Sequence, residues 1–223
     1  MEKGKLIVME GLDGSGKATQ TRILCSEIRK YNKSVCRVSF PDYNEPSSSL
    51  VKMYLNSEFG QSPEDVNPYA AASFYAVDRF ASFNKFWKER YKKGQIVIAD
   101  RYTTSNAVYQ LGKLPKETWE DFIHWLEDYE YNKLNLPKPD LVIYLDMPIE
   151  ISQKFMTGRY DGKESKKDLH EKNVEFLKKC REAALYTAEK LDWKIVECSK
   201  ENKPKSIDEV KEIVFDIVER EIL

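Results

Sequence analysis

The sequence predicts an α/β fold, a five-stranded parallel sheet flanked by helices, and three observations carry that prediction. Apolar runs of strand length recur at Leu6 to Met9, Val35 to Phe40, Ile96 to Ala99 and Leu141 to Leu145, with a weaker fifth run at Lys194 to Cys198. Segments with helical apolar spacing lie between them. A glycine-rich turn follows the first run directly. Strand and helix in alternation make a parallel sheet whose faces are covered by the helices.

The elements follow in order. After the first strand, the turn Gly11 to Gly16 runs into Lys17 and a helix. Ala72, Ala76, Phe80, Phe83 and Trp87 share a face, which predicts a long helix before the third strand. Trp119, Phe122, Ile123 and Leu126 predict another before the fourth. Ser206 to Glu209 form a capping box, and Ile207, Val210, Val214, Ile217 and Val218 continue it as an amphipathic closing helix. Asn44 to Ser49 and Gly158 to Asp168 read as loops. No linker or repeat divides the chain, so residues 1–223 are expected to form a single domain, with a mobile lid over about 158–168.

Composition narrows the function classes. With 41% hydrophobic residues, nine Gly and nine Pro in 223 residues, the chain is not disordered as a whole. Lys plus Arg number 36 against 37 Asp plus Glu, a net charge of -1, so no global field favours nucleic acid or an acidic membrane. Any anion is bound locally. Cys25, Cys36, Cys180 and Cys198 are scattered, without zinc-ligand spacing, and read as reduced thiols. The apolar runs fall far short of the ~20 residues of a membrane span, and no leader is expected. These features predict a soluble, cytoplasmic protein.

The strongest motif is Gly11-Leu12-Asp13-Gly14-Ser15-Gly16-Lys17 between an apolar strand and a helix. It is a phosphate-binding loop, which predicts the P-loop NTPase version of the fold. Glycines let consecutive N–H groups curl around a phosphate at a helix N-terminus, and Lys17 adds a point charge. Gly11 to Thr19 are therefore the candidate ATP contacts. The residue after Lys17 is Ala18, where the motif asks for a hydroxyl to hold Mg²⁺. Thr19 points ~100° away from that position on the helix. Metal binding must then rest on water and on carboxylates such as Asp13, Glu10 or Asp100.

The loop fixes a ligand and leaves the function open. Asn132-Lys133-Leu134-Asn135 lacks the carboxylate with which a GTPase reads guanine. Three arginines sit where a monophosphate kinase needs charge: Arg79 on the long helix, Arg101 directly after the third strand, and Arg159 in the predicted lid. The end of a parallel strand is the ligand-binding edge of such a sheet. Neither His124 nor His170 is assigned a chemical role.

These motifs together resemble thymidylate kinase: Glu10 to Lys17, Phe40-Pro41, Tyr75-Ala-Val-Asp78-Arg79, Asp100-Arg101-Tyr102, Ser105-Asn106-Ala-Val-Tyr109-Gln110 and Leu136 to Asp140. The resemblance implies Mg²⁺-dependent transfer of a phosphoryl group from ATP to dTMP. It makes Asp13, Lys17, Arg101 and Arg159 catalytic. Asp13 orients the sugar and the metal, and Arg101 bridges the donor and acceptor phosphates. It has Arg79 read the thymine edge, Tyr75 stack on the base, Asn106 offer a donor and an acceptor, and Tyr109 exclude a ribose 2′-OH. Phe40 and Pro41 wall the acceptor pocket, with Ser105 and Gln110 beside them. Gly14 stands where some members carry a basic residue, so the charge falls to the lid, as in the bacterial lid-arginine type. After Pro41 come Asp42 and Tyr43, where the family often places an arginine. The resemblance also implies a homodimer through the aromatic long helix. A kinase for another nucleoside monophosphate or a deoxynucleoside, and a nucleotide sensor without catalysis, are the alternatives.

Overall fold

The computed structural model describes residues 3–159, 169–171 and 173–223, with the backbone alone at 157–159. Five parallel strands form one sheet: β1 (Leu6–Glu10), β2 (Val35–Ser39), β3 (Ile96–Asp100), β4 (Leu141–Asp146) and β5 (Lys194–Glu197). Their order is β2-β3-β1-β4-β5, so the strand that precedes the glycine loop is central. The five runs anticipated from sequence match these strands to within about a residue at either end.

Alternation along each strand divides the core in two. On one face Leu6, Val8, Val97, Ala99, Val142 and Tyr144 pack under four helices: α3 (Pro68–Ser82), α5 (Thr104–Leu111), α6 (Trp119–Glu127) and α8 (Val174–Lys190). On the other, Ile7, Met9, Ile98, Ile143 and Val196 meet Leu24, Cys25 and Ile28 of α1 (Lys17–Lys30). Val210, Val214 and Val218 of α9 (Ile207–Glu221) complete that layer. The Ser206 cap accepts from the Glu209 N–H at 3.2 Å while Glu209 accepts from Ser206, closing the box expected there. Both faces of β1 are thus buried.

The long helix departs from its expected form. Regular α-helix ends at Ser82, and Phe83–Trp87 continue as a wider π turn that carries Phe83 and Trp87 into the core. Phe80 lies about 80° round from Ala72 at 100° per residue, on the edge of the apolar stripe, and is 43% exposed. A second π turn, Asp128–Lys133, follows α6.

Helices α5 and α8 touch through Gly112, where a Cβ would fall 2.9 Å from Cys180 Sγ and 3.3 Å from the Phe176 ring. Its φ is negative, so the requirement is space and not backbone freedom. Gly112→Val is expected to lower unfolding stability by about 1–3 kcal/mol through overpacking. Urea unfolding of both proteins checks this; an unchanged midpoint would show that the two helices separate freely.

Candidate active site

The loop between β1 and α1 is built by two left-handed glycines, Gly14 (φ 82°) and Gly16 (φ 91°). A Cβ on Gly14 would lie 2.6 Å from the Ser152 carbonyl oxygen of α7 (Ile149–Arg159), so a basic side chain at position 14 would have to displace that helix. Lys17 is buried, and its Nζ donates to the Leu12 carbonyl at 2.8 Å. Burial, followed by the charge on Arg101, lowers its pKa to about 8, against the opposing pull of Asp13, Asp100 and Glu10. Gly14, Gly16, Lys17, Ala18, Thr19, Asp100 and Arg101 line one open cleft.

Arg101 follows β3 with φ 67°, a conformation uncommon for a bulky residue. Its N–H donates to the Met9 carbonyl at 3.1 Å. The guanidinium then reaches back over β1: Nη2 donates to Asp13 Oδ1 at 2.6 Å and Nη1 to Glu10 Oε1 at 3.4 Å. The Tyr109 hydroxyl donates to the other oxygen of Asp13 at 2.9 Å. Burial raises the Asp13 pKa, but Arg101, then Lys17, then the Tyr109 bond outweigh it and hold the carboxyl well below the usual range. Asp13 therefore presents a fixed negative charge.

Glu10 is fully buried and accepts from the Gly11 N–H at 3.0 Å and from the Thr104 and Ser105 hydroxyls at 2.7 Å each. Its oxygens are taken up in bracing the loop against α5. Among the described residues no group of three or more Asp, Glu, His or Cys forms a metal cluster. Asp13 and Asp100 both border the phosphate-loop cleft, and Asp13 is also engaged by Arg101.

All ten residues assigned to the acceptor line one further cavity: Asp13, Phe40, Pro41, Tyr75, Arg79, Arg101, Ser105, Asn106, Tyr109 and Gln110. Arg79 is buried and forked onto Glu130, with Nε donating to Oε2 at 2.8 Å and Nη2 donating to Oε1. Its Nη1 donates to the Tyr102 carbonyl at 3.3 Å. Asn106 requires a correction. Its Nδ2 donates to the Ala72 carbonyl at 3.1 Å and to Glu130 Oε1 at 2.9 Å, so both amide hydrogens are spent and its oxygen alone is left to offer. Gln110 is buried with both amide atoms lacking a partner among the described residues.

Sequence reasoning missed several residues of this site. Glu130 gave no signal, since it lies in a polar segment that was read only for a guanine motif. His170 was passed over, yet it is buried, stacks on Tyr109 with ring centroids 5.1 Å apart, and shares a 2.8 Å hydrogen bond with the Tyr54 hydroxyl. Burial, then the charge of Lys113, lowers its pKa to about 3, so it is neutral. Lys113 Nζ donates to that same tyrosine hydroxyl at 2.8 Å. Asp78 holds the segment after Pro41, accepting from the Asp42 N–H at 2.8 Å and the Ser47 hydroxyl at 2.6 Å. Arg159 closes α7, but its side chain and residues 160–168 of the expected lid lie outside the described residues.

Comparison with known proteins places the chain in a family. A family model for thymidylate kinase matches residues 9–210. A probable thymidylate kinase of Thermococcus onnurineus is 32% identical over 220 residues, 97% of this chain and 98% of that one. A thymidylate kinase of Plasmodium falciparum is 30% identical over 221 residues, covering 99% and 94%. The solved structure of thymidylate kinase from Candida albicans aligns with a TM-score of 0.71 at 25% identity, over 98% of this chain and 92% of that one. No helix among the described residues is long and apolar enough to cross a membrane.

The Lys113 environment generates a pH test. Burial lowers its pKa from 10.5 to about 7 in the folded protein. Between those values the unfolded chain holds a proton that the folded chain has released, so stability rises with pH across that window. Lys113→Met is expected to flatten this rise, with its gain over the wild type largest near pH 6. Thermal unfolding of both proteins from pH 6 to 10 checks it, and parallel profiles would refute it.

Proposed function

We propose, from the premise that this chain belongs to the thymidylate kinase family, a division of labour by which its site phosphorylates dTMP at the expense of ATP. One observation carries the assignment: Asp13 and Arg101 line both the phosphate-loop cleft and the acceptor cavity, so the two compartments share a wall of opposite charges. A donor in one and an acceptor in the other would meet there. All 223 residues are taken as one kinase domain.

The loop amides from Gly11 to Thr19 and Lys17 hold the β- and γ-phosphates. Arriving phosphates offer Lys17 an anion in place of the Leu12 carbonyl and raise its pKa. In the acceptor cavity Tyr75 stacks on the base, Arg79 donates to a base carbonyl, and Phe40 and Pro41 close the sides. The Tyr109 ring, backed by His170, occupies the space a ribose 2′-OH would need, while Asp13 orients the sugar. An oxygen of the acceptor phosphate attacks the γ-phosphorus and the bond to the β-phosphate oxygen breaks, giving ADP and dTDP. The nucleophile is already an anion, so alignment and charge neutralisation suffice and no strong base is required.

Arg101 bridges the two phosphates, and Arg159 adds the charge for which Gly14 leaves no room in the loop. The chain supplies hard oxygen donors for a divalent ion at the cleft in Asp13 and Asp100, a set that suits Mg²⁺ with water and phosphate as its other ligands. When bound, Mg²⁺ neutralises charge on the transferring phosphoryl group. We place the enzyme in the cytoplasm, where its four free thiols stay reduced. Val77, Phe80 and Phe86 are exposed apolar side chains on α3 and its π turn, and we assign this helix to a homodimer.

Three measurements test these roles. Incubation with ATP, Mg²⁺ and a panel of dTMP, dUMP, UMP, CMP, GMP and AMP is expected to yield dTDP preferentially; preference for another acceptor would refute the thymine assignment. Arg101→Ala is expected to lower kcat roughly a hundredfold or more, and Arg159→Ala to lower kcat with little change in the KM for dTMP. A variant of either that kept full kcat would remove that residue from the mechanism. Phe80→Glu is expected to convert a sedimenting dimer to monomer, and an unchanged sedimentation coefficient would move the interface elsewhere.

A further inference from the structure

The base-reading side chains do not set their own polarity. Arg79 reaches the cavity from α3 and Asn106 from α5, and both are fixed by Glu130, which is fully buried on the π turn after α6. A π turn is wider than an α turn and often marks a functional position. Glu130 Oε1 accepts from Arg79 Nη2 and from Asn106 Nδ2 at the same time, and Oε2 accepts from Arg79 Nε at 2.8 Å.

The consequence follows from counting donors. Ala72 O and the Glu130 carboxylate are acceptors, so Asn106 must turn its nitrogen toward them and its oxygen away. That oxygen has no protein partner among the described residues and belongs to a side chain that lines the acceptor cavity. Arg79 spends three of its N–H groups on Glu130 and the Tyr102 carbonyl, which leaves donors to offer. The wall therefore presents a donor beside an acceptor. An imide edge, with a carbonyl beside a ring N–H, fits this pattern. A cytosine edge, with an amino group beside a bare ring nitrogen, meets it donor to donor and acceptor to acceptor.

We propose that Glu130 is a specificity-determining positioning residue that locks Arg79 as a donor and Asn106 as an acceptor, so that the pocket takes imide bases and rejects the cytosine edge. The proposal rests on the reading of this cavity as the site of a pyrimidine monophosphate. Glu130 touches no substrate and acts through the two side chains it holds. With Gln at position 130 the lock is weakened, because an amide can donate as well as accept, and the Ala72 carbonyl alone then holds the Asn106 nitrogen away from the cavity.

The test is steady-state kinetics on the full chain with dTMP, dCMP and dTMP methylated at N3. Glu130→Gln is expected to raise the KM for dTMP about tenfold or more, to leave the KM for ATP unchanged, and to lower the dTMP-to-dCMP ratio of kcat/KM by a similar factor. A purely structural role would not move that ratio, and an unchanged ratio in a folded variant overturns the proposal. Removing the carboxylate leaves a buried guanidinium unpaired, so the variant can fail to fold. The wild type then decides: N3-methylation removes the donor facing Asn106 and is expected to abolish phosphorylation, whereas turnover equal to that of dTMP overturns the proposal. Wild-type enzyme that ignores dTMP altogether would instead sink the functional reading beneath it.

Discussion

Arg101 sits between two carboxylates at the end of the central strands, and the placement of the site depends on that arrangement. Register makes it possible. Met9 pairs with Asp100 across β1 and β3, so Glu10 and Arg101 leave neighbouring strands at the same level of the sheet's C-terminal edge. The left-handed turn at Arg101 sends its side chain back across β1 instead of onward with the chain. Asp13 from the loop and Glu10 from the strand then receive it, and Tyr109 completes the ring of contacts from α5. A loop, a strand end and a helix are joined through one guanidinium.

Such a site must hold several cations close together before any anion arrives. The structure gives the arginines separate carboxylate partners: Asp13 and Glu10 for Arg101, Glu130 for Arg79. Burying these pairs contributes little net stability, since desolvation opposes attraction, but each fixes direction. Among the described residues Lys17 pairs with no carboxylate and bonds a carbonyl instead, and its pKa of about 8 records first its burial and then the charge of Arg101. Incoming phosphates supply the missing negative charge, so the site binds anions by relieving repulsion as well as by making new contacts.

Legibility in the sequence followed range. The five strands and the closing helix were readable because period and caps are local, and the Gly11 to Lys17 loop because its spacing carries its chemistry. The acceptor residues came from the resemblance to thymidylate kinase, and they share one cavity. What stayed hidden depends on tertiary partners. Glu130 lies 51 residues from Arg79 in sequence and is an unremarkable acid in a polar stretch until the π turn buries it. Asn106 was read as donor and acceptor because its side chain has both, and the partners that consume its nitrogen come from α3 and the π turn. His170 carried no chemical role in the sequence, because the rings of Tyr54 and Tyr109 that pack on it in space come from distant segments.

Helix α5 is where these constraints converge. It spans Thr104–Leu111, eight residues, too few to hold themselves helical in water and rich in residues of modest propensity. Yet it carries Ser105, Asn106, Tyr109 and Gln110, which line one cavity together. Its precision must come from what grips it. Glu10 takes the hydroxyls of Thr104 and Ser105 at its start, Glu130 takes Asn106 in its middle, and Gly112 lets it press against α8 at its end. The first grip belongs to the phosphate loop and the second to the base wall. The same short element thus joins the phosphate loop to the side chains proposed to read the acceptor, so the proposed donor and acceptor sites share one support.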